Sequence, residues 1–272
     1  MRTQTLLAGL GFPEAPRWHD DRLWFSDFHH RVVRSVGLEG DVRVEVDPGD
    51  VPSGLGWDPQ GRLLLVSMTR RHLLRVAQSI EVVADLSAWT VMGANDMAVD
   101  SRGRAYIGNF GYDFVSGEEP RPTALVLVDE HGNAGPVTQV ELVCPNGIVI
   151  DEANQRLIVA ETFAHRLSEY DLAYDGTLSN LRVFAQFDDS IDPDGICLDP
   201  SGAVWLATAT TPEVLRVAEG GEVTARVALS SGQTSYAVAL GGDHESTLFV
   251  CSAAEMLPSE RSTGRIEIAS VN

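Results

Sequence analysis

Glu14, Asn95, Asn146 and Asp194 are four oxygen-bearing side chains, each at the head of a similar stretch of sequence. Two carboxylates and two amides make an all-oxygen donor set, the chemistry of a hard cation. Ca²⁺ takes roughly six to eight oxygens, whereas structural zinc sites draw on Cys and His. Two carboxylates against a double positive charge come close to neutrality and leave positions for water and substrate. Ca²⁺ is the expected ion, with Mg²⁺, Mn²⁺ or Zn²⁺ as substitutes. Taken singly, an Asn or Asp before Gly is better explained as a turn former. Four oxygen donors at equivalent positions favour a shared cation.

The stretches that must position them are GFPEAPRWHDDRLWFSD (11–27), GANDMAVDSRGRAYIGN (93–109), CPNGIVIDEANQRLIVAET (144–162) and DPDGICLDPSGAVWLAT (192–208). Weaker copies are VPSGLGWDPQGRLLLVSMT (51–69) and TSYAVALGGDHESTLFVCS (234–252). Each reads as a donor, a short apolar strand, a polar turn and a second apolar strand. The equivalent positions 14, 53, 95, 146, 194 and 236 lie 39 to 51 residues apart. That period, with hairpins inside each unit, marks a propeller. The expected fold is therefore an all-β, six-bladed propeller of four-stranded antiparallel blades around a central metal-binding tunnel, one domain over residues 1–272. Turns such as DPQG (58–61), DSRG (100–103) and DPSG (199–202) separate the strands, and no apolar 3.6-residue period is sustained, so helix is expected to be scarce. Closure is open: residues 2–9 complete the last blade beside 265–271, or the ends stay apart.

In a blade of this kind the second strand returns to the donor's end. Residues just after the second strands, among them Asp27, His29, Met68, Asn109, Phe110, Tyr112, Asp113, Thr162, Phe163, His165, Thr208 and Ser252, are expected to line the same mouth. The set has aromatic walls and few charges, as a small organic ligand needs.

Composition narrows the partners. The formal charge of −19 repels nucleic acid and anionic membranes. All 20 basic residues are arginine, which excludes Schiff-base chemistry and a lysine base. Cys144, Cys197 and Cys251 form an odd set near apolar strands and read as buried free thiols in a reducing compartment. No stretch reaches membrane-spanning length, and the N-terminal apolar patch is too short for a secretory signal. A cytoplasmic protein, monomer or homodimer, with no nucleic acid or membrane partner, is the expectation.

The motifs FPEAPRW, GANDMAVD, CPNGIVID and DPDGICLD resemble those of the gluconolactonase, senescence marker protein and luciferin-regenerating enzyme family, over essentially the whole chain. Diisopropyl fluorophosphatase is a more distant relative. The resemblance implies a six-bladed propeller with one catalytic divalent metal. It carries the ligands onto Glu14, Asn146 and Asp194, with Asn95 as a fourth ligand or a contact to substrate. Sugar-lactonase members have an arginine two residues before the equivalent of Asn95. Here that residue is Gly93, and a less polar lactone or ester is expected in place of gluconolactone.

Such a site fits lactone hydrolysis, with the cation polarising the carbonyl and a carboxylate activating water. Asp194 and Asn95 are the expected catalytic residues. Asp194 is the first candidate for general base, followed by Asp113 and His165. Asp113, Tyr112, Phe110, Phe163 and His165 are the expected substrate contacts. Two alternatives stand beside this reading: phosphotriester hydrolysis or a non-hydrolytic reaction at the same site, and a non-catalytic calcium-binding propeller. No Gly-x-Ser-x-Gly elbow or phosphate-cradling loop is present.

Overall fold

Six inner strands lie side by side around one axis: Pro13–His19, Pro52–Trp57, Ala94–Val99, Pro145–Asp151, Ile196–Leu198 and Thr234–Gly241. Each touches the next, and the last touches the first, so the ring is closed. Each is the innermost member of a four-stranded antiparallel sheet. This computed structural model describes residues 1–113, 116–119, 121–257 and 261–271. Among them there is no α-helix, only two short 3₁₀ turns, and no helix is long and apolar enough to cross a membrane.

Closure takes the first of the two expected forms. The fourth strand of the last blade is Gln4–Leu10, paired antiparallel with Gly264–Ser270. The ring is thus fastened by one strand from each end of the chain, and Thr3 adds a hydrogen bond to the buried Glu267.

Alternation along the strands builds the core. Leu23 and Phe25, or Leu157 and Val159, point between neighbouring blades and are fully buried, so hydrophobic clusters fill the wedges between sheets. The polar turns at the far end are held by one recurring device. Asp58 accepts the amides of Gln60 and Arg62, Asp100 those of Arg102 and Arg104, and Asp199 those of Ser201 and Ala203. The following glycines (Gly61, Gly103 and Gly202) have φ of 73°, 85° and 85°, where a side chain would be strained. In the third unit the arginine after that glycine folds back, and Arg104 Nε meets Asp100 Oδ2 at 2.6 Å with both side chains buried.

Removing one partner of a buried ion pair strands the other. Asp100→Ala is expected to cost about 3–5 kcal/mol in urea unfolding. Asp129→Ala, which removes the same turn contacts at an exposed position, should cost about 1 kcal/mol.

Candidate active site

The heads of the inner strands meet at one mouth of the tunnel, and two features aim their side chains inward. The first is a break in register. The pairing slips between Glu14 and Arg17, Pro52 and Leu55, Ala94 and Met97, Pro145 and Ile148, and Ser235 and Ala237. Bulges of this kind re-aim side chains at the rims of barrels and beside active sites. The second is close approach. A Cβ on Gly147 would lie 2.5 Å from the carbonyl oxygen of Asp194 and 2.6 Å from the amide of Ile196. The bare glycine lets the strand carrying Asn146 press against the segment carrying Asp194.

Of the four residues named from the sequence, Asn95, Asn146 and Asp194 are joined here in one hydrogen-bonded arc, and Glu14 lies close enough to Asp194 to repel it. Ser53 Oγ donates to Asn95 Oδ1 at 3.1 Å, Asn95 Nδ2 to Asn146 Oδ1 at 3.1 Å, and Asn146 Nδ2 to Thr162 Oγ1 at 3.3 Å. Thr162 in turn donates to the carbonyl of Pro193 at 2.9 Å. Asn146 also hydrogen-bonds Asp194. Each amide oxygen is thereby oriented and keeps a second lone pair. Glu14 is held by its neighbour's amide, Ala15 N–H to Oε2 at 2.9 Å.

Electrostatics mark the arc as acidic. Burial pushes the Glu14 carboxyl up to about 8, and the nearby Asp96 charge adds to the rise while Arg17 opposes it. Burial also raises Asp194 well above the usual carboxylate range, helped by Glu14 and Asp96. A half-buried and a buried acid that repel each other, beside amide oxygens with free lone pairs, form a space that a hard cation would neutralise. Glu14, Asn95, Asn146 and Asp194 are the residues that could hold one. Among the described residues, His, Cys, Asp and Glu form no metal-holding group of three or more on their own; a cation here would have to draw on the amide oxygens as well.

The other expected residues lie on the loops that follow second strands. Asp113 Oδ1 accepts the amide of Ser116 at 3.0 Å in an exposed local turn, which occupies it away from the donor arc. His165, with φ of 52°, ends the 3₁₀ turn after Thr162, and its Nδ1 lies 3.0 Å from Asp192 Oδ1. Tyr112 is buried with its ring 6.2 Å from that of Phe163, which is exposed, while Phe110 stands beside Gly93. Several residues after second strands do not face the mouth. Asp27, fully buried, accepts the amides of Gly11 and Phe12, each at 3.1 Å. Asn109, Thr208 and Ser252 likewise spend their polar atoms bracing loops and strands. The three cysteines are free thiols, and burial pushes Cys144 up to about 12, which makes it a poor nucleophile.

Three residues escaped the sequence reading. Asp96 follows Asn95, and simple alternation would turn it to the opposite face; the bulge brings both to the site. Arg17 reaches Asp96 across the tunnel at 2.8 Å. Tyr236 holds the sixth equivalent position, its ring 4.6 Å from that of Phe12. Burial and the carboxylates of Asp194 and Glu14 push its hydroxyl up to about 12 and keep it protonated.

Fold and arc together define a propeller with a tunnel-mouth acid site. The chain belongs to the SMP-30/Gluconolactonase/LRE-like family, whose model matches residues 12–254. It is 29% identical over 172 residues to a 6-deoxy-6-sulfogluconolactonase of Pseudomonas putida, an alignment that covers 61% of this chain and 56% of that protein. A calcium-binding regucalcin of Agrobacterium tumefaciens superposes with a TM-score of 0.81 at 20% identity, covering 98% of this chain and 93% of the other. A gluconolactonase of Xanthomonas campestris gives 0.78 at 20% identity, covering 98% and 88%.

The raised Glu14 carboxyl has a consequence for the cation-free protein. The folded state favours its protonated form, so the associated stability is complete below about pH 4.5 and is lost as pH rises towards about 8. Chelator-treated protein should show a thermal midpoint that falls across this window. Glu14→Gln should flatten the fall; an unchanged slope would show that Glu14 ionises normally.

Proposed function

We propose that this chain is a divalent-cation-dependent hydrolase that opens lactone rings. One observation carries the reading: the half-buried Glu14 and the buried Asp194 carboxyls share the tunnel mouth with the oriented amides of Asn95 and Asn146. The sulfogluconolactonase and gluconolactonase relatives support the reaction class, and the calcium-binding regucalcin supports Ca²⁺ as the ion.

When bound, the cation supplies Lewis-acid polarisation of the lactone carbonyl. The chain's own residues do the rest. Asp194 takes the proton of the attacking water as the oxygen–carbonyl bond forms. The ring C–O bond then breaks, and the departing alkoxide takes that proton from Asp194, giving the hydroxy acid and restoring the carboxylate. Asn95 has a second amide hydrogen beyond the one given to Asn146, and it can orient the substrate carbonyl. Tyr112, Phe110 and Phe163 form one wall of the mouth, and His165, held by Asp192, closes its edge.

Gly93 bears on the substrate. A Cβ there would sit 3.2 Å from Met68 Cγ and 3.6 Å from Phe110 Cε2. An apolar wall stands where sugar lactonases place a guanidinium, which favours a less polar lactone over a sugar lactone.

A pH-indicator assay on sugar, aliphatic and aromatic lactones tests the reading. Turnover should vanish on chelation and return with Ca²⁺. Asp194→Ala and Glu14→Ala should each lower kcat/KM by about 100-fold or more while the fold persists. Full turnover in either variant, or an activity indifferent to chelation, would place the chemistry elsewhere. Gly93→Arg should shift relative rates towards sugar lactones, and Met68→Ala beside it should enlarge the shift by making room.

A further inference from the structure

Arg17 lies three residues below Glu14 on the first inner strand, and Asp96 directly follows Asn95 on the third. The second inner strand stands between them in the ring. The Arg17 guanidinium nevertheless spans the gap. One terminal nitrogen donates to Asp96 Oδ1 at 2.8 Å and to the Met97 carbonyl at 2.6 Å, and the other donates to the Pro16 carbonyl at 2.8 Å. Asp96 Oδ1 is also fixed by the Met97 amide at 2.8 Å. Only 23% of the Arg17 side chain and 9% of the Asp96 side chain are exposed. Beside Arg17, cavities of 220 and 440 Å³ are both lined by Trp18, Ile148, Val149 and Leu198. The ion pair is the floor of the polar site.

We infer that this pair is a positioning device that sets the charge of the cation site, fixing it for a divalent ion. The inference rests on the cation-site reading given above. With a cation bound, ionised Glu14, Asp96 and Asp194 together carry three negative charges, and Arg17 cancels one of them. The remaining charge equals that of two carboxylates and matches a doubly charged ion. Without Arg17 the same space would hold three negative charges and would favour a trivalent ion. Without the Asp96 charge an unbalanced guanidinium would repel any cation. In the native pair Asp96 is turned to Arg17 and stays out of the donor arc, and the strands carrying Glu14 and Asn95 are tied together.

Cation affinity, read without turnover, tests this. Ca²⁺ binding is measured by calorimetry and Tb³⁺ binding by its sensitised luminescence, on intact protein with thermal midpoints in parallel. Asp96→Asn keeps the shape and the hydrogen-bond acceptor, and it should weaken Ca²⁺ binding about tenfold. Arg17→Met should raise the preference for Tb³⁺ over Ca²⁺ about tenfold. The double variant, in which charge balance returns, should recover Ca²⁺ affinity to within about threefold of the parent. A merely structural pair would give no such recovery. Native affinity in Asp96→Asn, or a double variant as weak as Asp96→Asn, would overturn the inference and leave the site itself standing. A parent protein that binds neither ion would overturn both.

Discussion

Backbone-to-backbone contact around the axis is the constraint on which the rest of the molecule depends. Six inner strands can converge only if some residues at the contact have no side chain. Gly147 and Gly195 meet the backbone or the Cβ of the next blade at distances that no Cβ would tolerate. That crowding makes residues far apart in sequence into neighbours. Asn95 and Asn146, 51 residues apart, hydrogen-bond directly, and Glu14 and Asp194 repel each other through space. The acid site is a product of closure, and no single blade contains enough of it to work alone.

A second layer of polar residues keeps the convergence accurate. Asp27, Asn109 and Thr208 stand at the ends of second strands, fully buried, and hold the loops that enter the neighbouring structure. Asp50 does the same for Ser67 and the amide of Arg70. A buried polar group is costly unless it is satisfied, so each of these residues specifies one loop position strongly. The donors above them inherit that accuracy.

Repeat period, hairpin turns and blade count were legible in the sequence because each rests on local chemistry. An aspartate before a turn glycine, or an alternating apolar strand, announces itself within a few residues. The convergence of Glu14, Asn95, Asn146 and Asp194 was legible for a different reason: they recur at one position of the unit, so four weak signals reinforce one another. Asp96 and Arg17 were not legible. The register slip at the strand heads breaks the alternation by which facing is inferred, and the pair joins residues 79 apart. Asp27, Asn109, Thr208 and Ser252 were read as mouth residues because strand direction places them at the correct end. Direction along a strand does not reveal that a polar side chain is consumed by its own loop.

The strand Gln4–Leu10 fastens to Gly264–Ser270, made about 250 residues later. On a ribosome the first strand is therefore made long before its partner. Glu14 is made early and Asp194 much later, and through that interval the early blades present an unsealed edge. The ring of strands and the acidic mouth it encloses are sealed only when that late strand pairs with the first.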